Sequence, residues 1–168
     1  MRGVDMFFRM LKIAIPFIWL GAVLAISFME APLKFTAPGI DLKLGLGIGA
    51  IVFHALNKAE IVLMLIYAFA FIKAKPRKNS SRLLFYGLVI ILILQTFVLY
   101  PMLDERTAAV LAGTAAPYSS THVFYIVTEV VKVFMLVALG IINLRIEFSA
   151  QISQARIDGV KEIKQVQD

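Results

Sequence analysis

Cysteine is absent from the 168 residues of this chain. Its absence excludes disulfide bonds, thiolate metal sites and cysteine nucleophiles. The sequence also has no glycine-rich phosphate-binding loop and no paired-histidine metalloprotease motif, and nothing marks any of its serines as an activated nucleophile. We therefore expect a binding or accessory protein rather than an enzyme.

Apolar residues, by contrast, are abundant. They make up 60% of the chain, and the mean hydropathy is +0.85, whereas soluble domains are about half apolar. A helix needs about 20 apolar residues to cross the hydrocarbon core of a bilayer, and four runs suit that length: residues 13–30, 49–72, 83–103 and 122–144. Because backbone N–H groups in lipid must find partners within their own segment, the sequence predicts an all-α, integral membrane four-helix bundle.

The four runs form one transmembrane domain over residues 1–145, and residues 146–168 are predicted to form a cytoplasmic, helical tail. The first run follows Arg2, Arg9 and Lys12 and in this respect resembles a signal peptide. No small-residue cleavage site follows its apolar stretch, so we interpret it as a retained helix.

Lysine and arginine are distributed unevenly between the two ends of the predicted bundle. Twelve of them lie in the N-terminal segment, the connection KAKPRKNSSR (73–82) and the tail, against Lys34, Lys43 and Arg106 in the other connections. By the positive-inside rule, both termini are cytoplasmic and the protein lies in a bacterial inner membrane. This topology accounts for the net charge of +6. The expected partners are the lipid bilayer and a membrane protein or a second copy of the chain, and no nucleic acid is expected.

Polar residues inside the runs are predicted to lie at one depth. In an antiparallel bundle, the late residues of the first and third helices and the early residues of the second and fourth share the outer half. Apart from Gln95, the cytoplasmic half is predicted to be almost purely apolar. We therefore predict an outward-facing polar cluster, formed by Glu30, His54, Asn57, Lys58, Glu60, Tyr125, Glu129 and Lys132.

Lys132 is the member of this predicted cluster whose charge is buried most deeply. At 1.5 Å per residue it lies roughly 15 Å below the start of its helix, near the midplane, where a lone charge costs at least about 2.5 kcal/mol. It needs a partner, and Glu129 is the nearest carboxylate in sequence. One hypothesis is that the cluster binds a small polar ligand or an ion, including a proton. The alternative is that the buried charges only fix the bundle while its apolar faces and tail dock a partner.

The two histidines support a third hypothesis. His54 and His122 fall at similar depths on two helices that run in the same direction, and neutral imidazoles are ligands of haem iron. The chain would then be a bis-histidine haem b membrane redox protein. With Glu30 and Glu129, the same histidines would offer oxygen and nitrogen ligands to a divalent metal.

Several stretches resemble a known group of proteins. WLGAVLAISFMEAPLKF (19–35) and GLGIGAIVFHALNKAEIVLML (45–65), with LYPMLDER and THVFYIVTEVVKVFML later in the chain, look like a family of small four-helix bacterial membrane proteins known only as a domain of unknown function. The layout is distantly similar to copper-resistance-D-like proteins and to membrane protoporphyrinogen oxidase. Those families have a histidine-rich first helix. The first helix here has no histidine, so the resemblance implies the four-helix fold and no established activity.

Overall fold

Four long helices make up the chain. The computed structural model describes residues 2–74, 78–115 and 120–167, so residues 75–77 of the predicted basic connection lie outside the described part. The first helix, Arg2–Val23, continues through a π-helical segment, Leu24–Glu30, and ends in a 3₁₀ turn, Lys34–Thr36. The second helix is Leu42–Lys73. The all-α prediction is confirmed.

The third and fourth helices complete the bundle. The third helix comprises Asn79–Leu94, a π-helical segment Gln95–Leu99 and a final α-helical part, Tyr100–Leu111. The fourth helix is Ser120–Gln167, so residues 146–167 extend it without a break. All four helices are long and apolar enough to cross a membrane.

Neighbouring helices run antiparallel. Along the first and fourth helices, for example, Arg9 pairs with Glu147 and Ser27 bonds to Glu129. The first helix packs against the second and fourth, and the third packs mainly against the fourth. We call the end where residues 37–41 and 112–115 lie the distal end. The proximal end is the one where the first helix begins and where Ala74 and Lys78 lie.

The pattern of burial differs from that of a soluble bundle. Glu60, Gln95 and Lys132 are fully buried, whereas Leu83 and Phe97 are 75% and 74% exposed. Large apolar side chains are exposed along all four helices. An apolar exterior around buried polar groups suits a lipid environment, because lipid does not compete for hydrogen bonds and does not penalise exposed hydrocarbon.

A proline follows each π-helical segment, with one residue between them. The Ala31 N–H donates to the Ile26 carbonyl and the Tyr100 N–H to the Gln95 carbonyl, five residues back in both cases. A proline one residue later, Pro32 or Pro101, lacks an N–H and its ring clashes with the carbonyl four residues before it. The wider π turn relieves that clash and keeps the helix continuous.

The proximal half is more polar than expected. Asn143 is 4% exposed; its Nδ2 donates to the Tyr67 hydroxyl at 3.0 Å and to the Lys12 carbonyl at 2.9 Å. The Ser81 hydroxyl donates to Asn143 Oδ1 at 3.2 Å. The prediction that only Gln95 breaks an apolar cytoplasmic half was therefore wrong, because these small polar groups satisfy one another inside the bundle.

Candidate functional site

Two carboxyl groups and one ammonium group meet in the middle of the bundle. Lys132 Nζ donates to Glu129 Oε1 at 2.7 Å, the pairing that their spacing predicts, and also to Glu60 Oε1 on the second helix. The side chains of all three residues are at most 2% exposed. Buried charges of this kind are tolerated only when they are paired and hydrogen-bonded.

The first and third helices supply the remaining donors. Trp19 Nε1 donates to Glu60 Oε1 at 2.7 Å. Glu129 accepts from Gln95 Nε2 at 2.8 Å and from the Ser27 hydroxyl at 2.9 Å. Ser27 and Gln95 both lie in the π-helical segments, so the two proline-linked distortions face the same carboxylate. We call the whole set the carboxylate cluster, formed by Trp19, Ser27, Glu60, Gln95, Glu129 and Lys132.

Two buried oxygens of this cluster remain without a hydrogen bond. Among the described residues, no donor lies within bonding distance of Glu60 Oε2 or Gln95 Oε1. Such atoms are uncommon in protein interiors and need an explanation. Here the unsatisfied carboxyl oxygen belongs to Glu60, whose two hydrogen bonds both go to its other oxygen.

A cavity of about 630 Å³ opens between the helices at the distal end. Its wall is mostly apolar and aromatic, with Phe28, Phe35 and Phe53 among the lining side chains. Ser27 and Glu129 also line it. At 1.5 Å per residue, Glu129 lies about 10 Å deeper than His122 on the same helix. The cavity therefore reaches from the distal surface down to the carboxylate cluster.

Lys34 is held at the side of this cavity. Its Nζ lies 3.4 Å from Glu30 Oε2, 5.5 Å from the centre of the Phe53 ring and 5.6 Å from that of Phe35, distances at which a cation is attracted by an aromatic face. Gly49 makes room for it, because a Cβ there would lie 2.8 Å from Lys34 Nζ. The remaining ionisable groups of the lining are Tyr100, Asp104, Arg106, His122 and Tyr125.

Two hydrogen-bonded tyrosines, Tyr100 and Tyr125, line the cavity. The hydroxyls of Tyr100 and Tyr125 are 3.2 Å apart, and Tyr100 also donates to the Phe53 carbonyl at 3.0 Å. One turn deeper, Asn57 Nδ2 donates to the Thr96 hydroxyl at 2.9 Å. Asn57 is thus buried and satisfied beside the cluster rather than within it.

The two histidines occupy different surroundings. His54 Nε2 lies 3.0 Å from both carboxylate oxygens of Asp104, and its ring stacks on Tyr100 with 5.3 Å between centroids. His122 lines the cavity, whereas His54 is not among the lining residues. Within residues 2–74, 78–115 and 120–167, no group of three or more His, Cys, Asp or Glu is placed to hold a metal. The set of His54, His122, Glu30 and Glu129 is therefore not assembled around one point, and the haem hypothesis stays a prediction.

Lys58 and Glu30 also lie apart from the cluster. Lys58 is exposed on the outer surface of the second helix, one residue and therefore about 100° away from buried Asn57. Glu30 pairs with Lys34 at the cavity. Of the eight residues predicted to form one polar cluster, Lys132 bonds directly to Glu60 and to Glu129, and Tyr125 lines the adjoining cavity.

Sequence reasoning missed several residues of this site. Trp19 and Ser27 are ordinary members of an apolar helix, and no pattern shows that they face the carboxylates. Lys34 was assigned to the distal connection as an orientation signal. Its spacing of four residues from Glu30 is the signal from which a helical ion pair could have been predicted.

No protein-family model, curated protein or solved structure matches this chain. The resemblance of residues 19–35 and 45–65 to the small four-helix membrane family therefore stays a prediction.

Proposed function

We propose that this chain is a multi-pass protein of the bacterial inner membrane that binds a small amphiphilic molecule in the distal cavity. The observation that carries the proposal is the cavity itself, whose apolar wall ends at the hydrogen-bonded pair of Ser27 and Glu129. Ligand sites in proteins are typically pockets of about 300–1,000 Å³ with apolar walls and a few placed polar groups. An apolar body would fill the wall region, and a polar head would reach Glu129.

The uneven distribution of lysine and arginine supports the orientation. Both termini would be cytoplasmic, and the cavity would then open on the outer side of the membrane. A ligand reaches such a cavity either from the aqueous phase or from the outer leaflet.

A purely structural role is the second candidate, and one observation favours it. All four helices contribute a hydrogen-bonding side chain to the carboxylate cluster, which would fix their relative register. In this case the cavity would be only the space left between helices that splay at the distal end.

Replacing either of two alanines on the second helix by phenylalanine distinguishes these two candidate functions. Ala50 lines the cavity, whereas Ala55 is exposed on the outer surface. Ala50→Phe fills the cavity and Ala55→Phe adds the same ring to the lipid-facing side. The probes are decylamine, decanol and decanoate, titrated into protein in lipid nanodiscs and followed by the fluorescence of Trp19, the only tryptophan.

We expect at least one probe to bind saturably to the wild type and to A55F, and to lose at least tenfold in affinity for A50F. If no probe binds saturably, or if A50F and A55F bind alike, the ligand-binding proposal fails and the structural role is left.

A further inference from the structure

We propose that the carboxylate cluster is a binding site for one exchangeable proton. The proton reaches the cluster through Glu129 from the distal cavity, and a cationic head group in the cavity competes with it. The proton site stands on the geometry of the cluster alone, whereas the competition rests on the proposed function.

The charge of the cluster calls for a proton. Glu60 and Glu129 carry two carboxyl groups against the one ammonium group of Lys132, and all three side chains are at most 2% exposed. With every group ionised, one negative charge would be left uncompensated in a low-dielectric interior. A single proton on the carboxyl pair makes the cluster neutral.

The hydrogen bonds are shared unequally between the two carboxyls. Glu129 accepts from Ser27, Gln95 and Lys132 and uses both of its oxygens. Glu60 accepts from Trp19 and Lys132 on Oε1 only, and its Oε2 is the buried oxygen without a donor. Donors stabilise the ionised form of a carboxyl, so the geometry points to Glu129 as the carboxylate and to Glu60 as the carboxyl that carries the proton. Because both carboxyls bond to the same Lys132 Nζ, their titrations are coupled and the proton belongs to the pair.

The side chains around the carboxylate cluster do not change its net charge. The side chains that face the carboxylates from the first and third helices, Trp19, Ser27 and Gln95, are neutral donors. The tyrosine hydroxyls nearer the cavity, at Tyr100 and Tyr125, bond to each other. The charged and titratable groups at the cavity and its edge are Glu30, Lys34, His54, Asp104, Arg106 and His122. The other charged residues of the distal half, Asp41, Lys43, Lys58 and Glu105, are exposed.

Access to the cluster is from one side. Between Lys132 and the Asn143 group, the bundle interior is filled by Ile15, Leu88, Leu136 and Leu139, which are at most 5% exposed. The buried polar groups at the proximal end are therefore separated from the cluster by an apolar layer. Glu129, in contrast, lines the cavity, so the proton exchanges with the distal side.

Infrared spectroscopy tests the proton site without any ligand. In nanodiscs, the wild type should show the carbonyl stretching band of a buried protonated carboxylic acid at neutral pH. This band should disappear as the pH is raised, and the emission of Trp19 should shift with the same midpoint. Glu60→Gln and Glu129→Gln each leave one carboxylate against Lys132, a neutral pair that needs no proton, so both variants should lack the band.

The matched control is Glu147→Gln, which removes a largely buried carboxylate that pairs with Arg9 at 3.3 Å near the proximal end. This variant should keep the band. A wild type without the band at neutral pH, or a band that survives in both E60Q and E129Q, would overturn the proton site. The wild-type titration decides the question even if a variant folds poorly.

Decylamine and decanol test the competition. In weakly buffered solution, saturating decylamine should release close to one proton per molecule bound, and decanol should release none. Decylamine that binds without proton release refutes the competition while binding and the proton site stand. If neither probe binds saturably, the proposed function and the competition both fail, and the infrared band still decides the proton site.

Discussion

At Lys132, one ammonium group donates a hydrogen bond to each of the two buried carboxyls. Lys132→Met should therefore destabilise the protein by about 3–5 kcal/mol, because it leaves buried charge without its partner. The measurement is denaturant or thermal unfolding in a mild detergent.

Lys58→Met provides the control for this prediction. Lys58 is on the exposed surface of the second helix, so its substitution should change stability by less than about 0.5 kcal/mol. The triple variant K132M/E60Q/E129Q removes all the charge together and should recover much of the loss. Equal stability of K132M and K58M would show that the buried pairs contribute nothing to folding.

The sequence predicted the charged members of this site better than the neutral ones. The depth of Lys132 and its spacing from Glu129 follow from helix geometry alone, so their pairing could be predicted. The donors Trp19, Ser27 and Gln95 could not, because single polar atoms in apolar helices carry no periodic signal of which neighbour they face. Lys58 was placed with the cluster by its position in the run, but it lies about 100° away from its neighbour Asn57.

At the scale of a helix, proline shaped the site in a way that the sequence only partly reveals. Pro32 and Pro101 each follow a π-helical segment. A proline predicts a distortion in the preceding turn, but whether the helix kinks, breaks or widens depends on its neighbours. By contrast Pro16 sits inside a continuous α-helix.

Glycines of the second helix let the end of the first helix fold over it. A Cβ at Gly45 would collide with the ring of Phe35, whereas at Gly47 it would meet open space. Gly45→Ala should thus lower stability by about 1–3 kcal/mol relative to Gly47→Ala, and it should also weaken decanol binding because Phe35 lines the cavity. Thermal unfolding and the Trp19 titration measure the two effects. Identical behaviour of G45A and G47A would mean that Phe35 swings away at no cost.

At the scale of the whole molecule, the number of helices was predictable from the four apolar runs, and their antiparallel order from the short connections between them. The apolar runs predicted the positions of the helices but underestimated their lengths. Polar residues continue the helices beyond the apolar stretches, as in Asn79–Leu111 and Ser120–Ile157. The cavity was not predictable as a shape. It arises where the distal parts of the first and third helices are distorted, and no residue pattern reports the resulting space.

The orientation of the bundle would decide which compartment supplies the proposed ligand and the proposed proton. Because the chain has no cysteine, single cysteines can be introduced without background. Ser80 and Thr114 are exposed at the proximal and distal ends, and we expect a membrane-impermeant maleimide to label Thr114→Cys but not Ser80→Cys in right-side-out spheroplasts. Both variants should label after detergent solubilisation, which controls for reactivity. The reverse labelling pattern would place the cavity on the cytoplasmic side. Another topogenic signal would then have outweighed the distribution of lysine and arginine. The cluster would in that case exchange its proton with the cytoplasm.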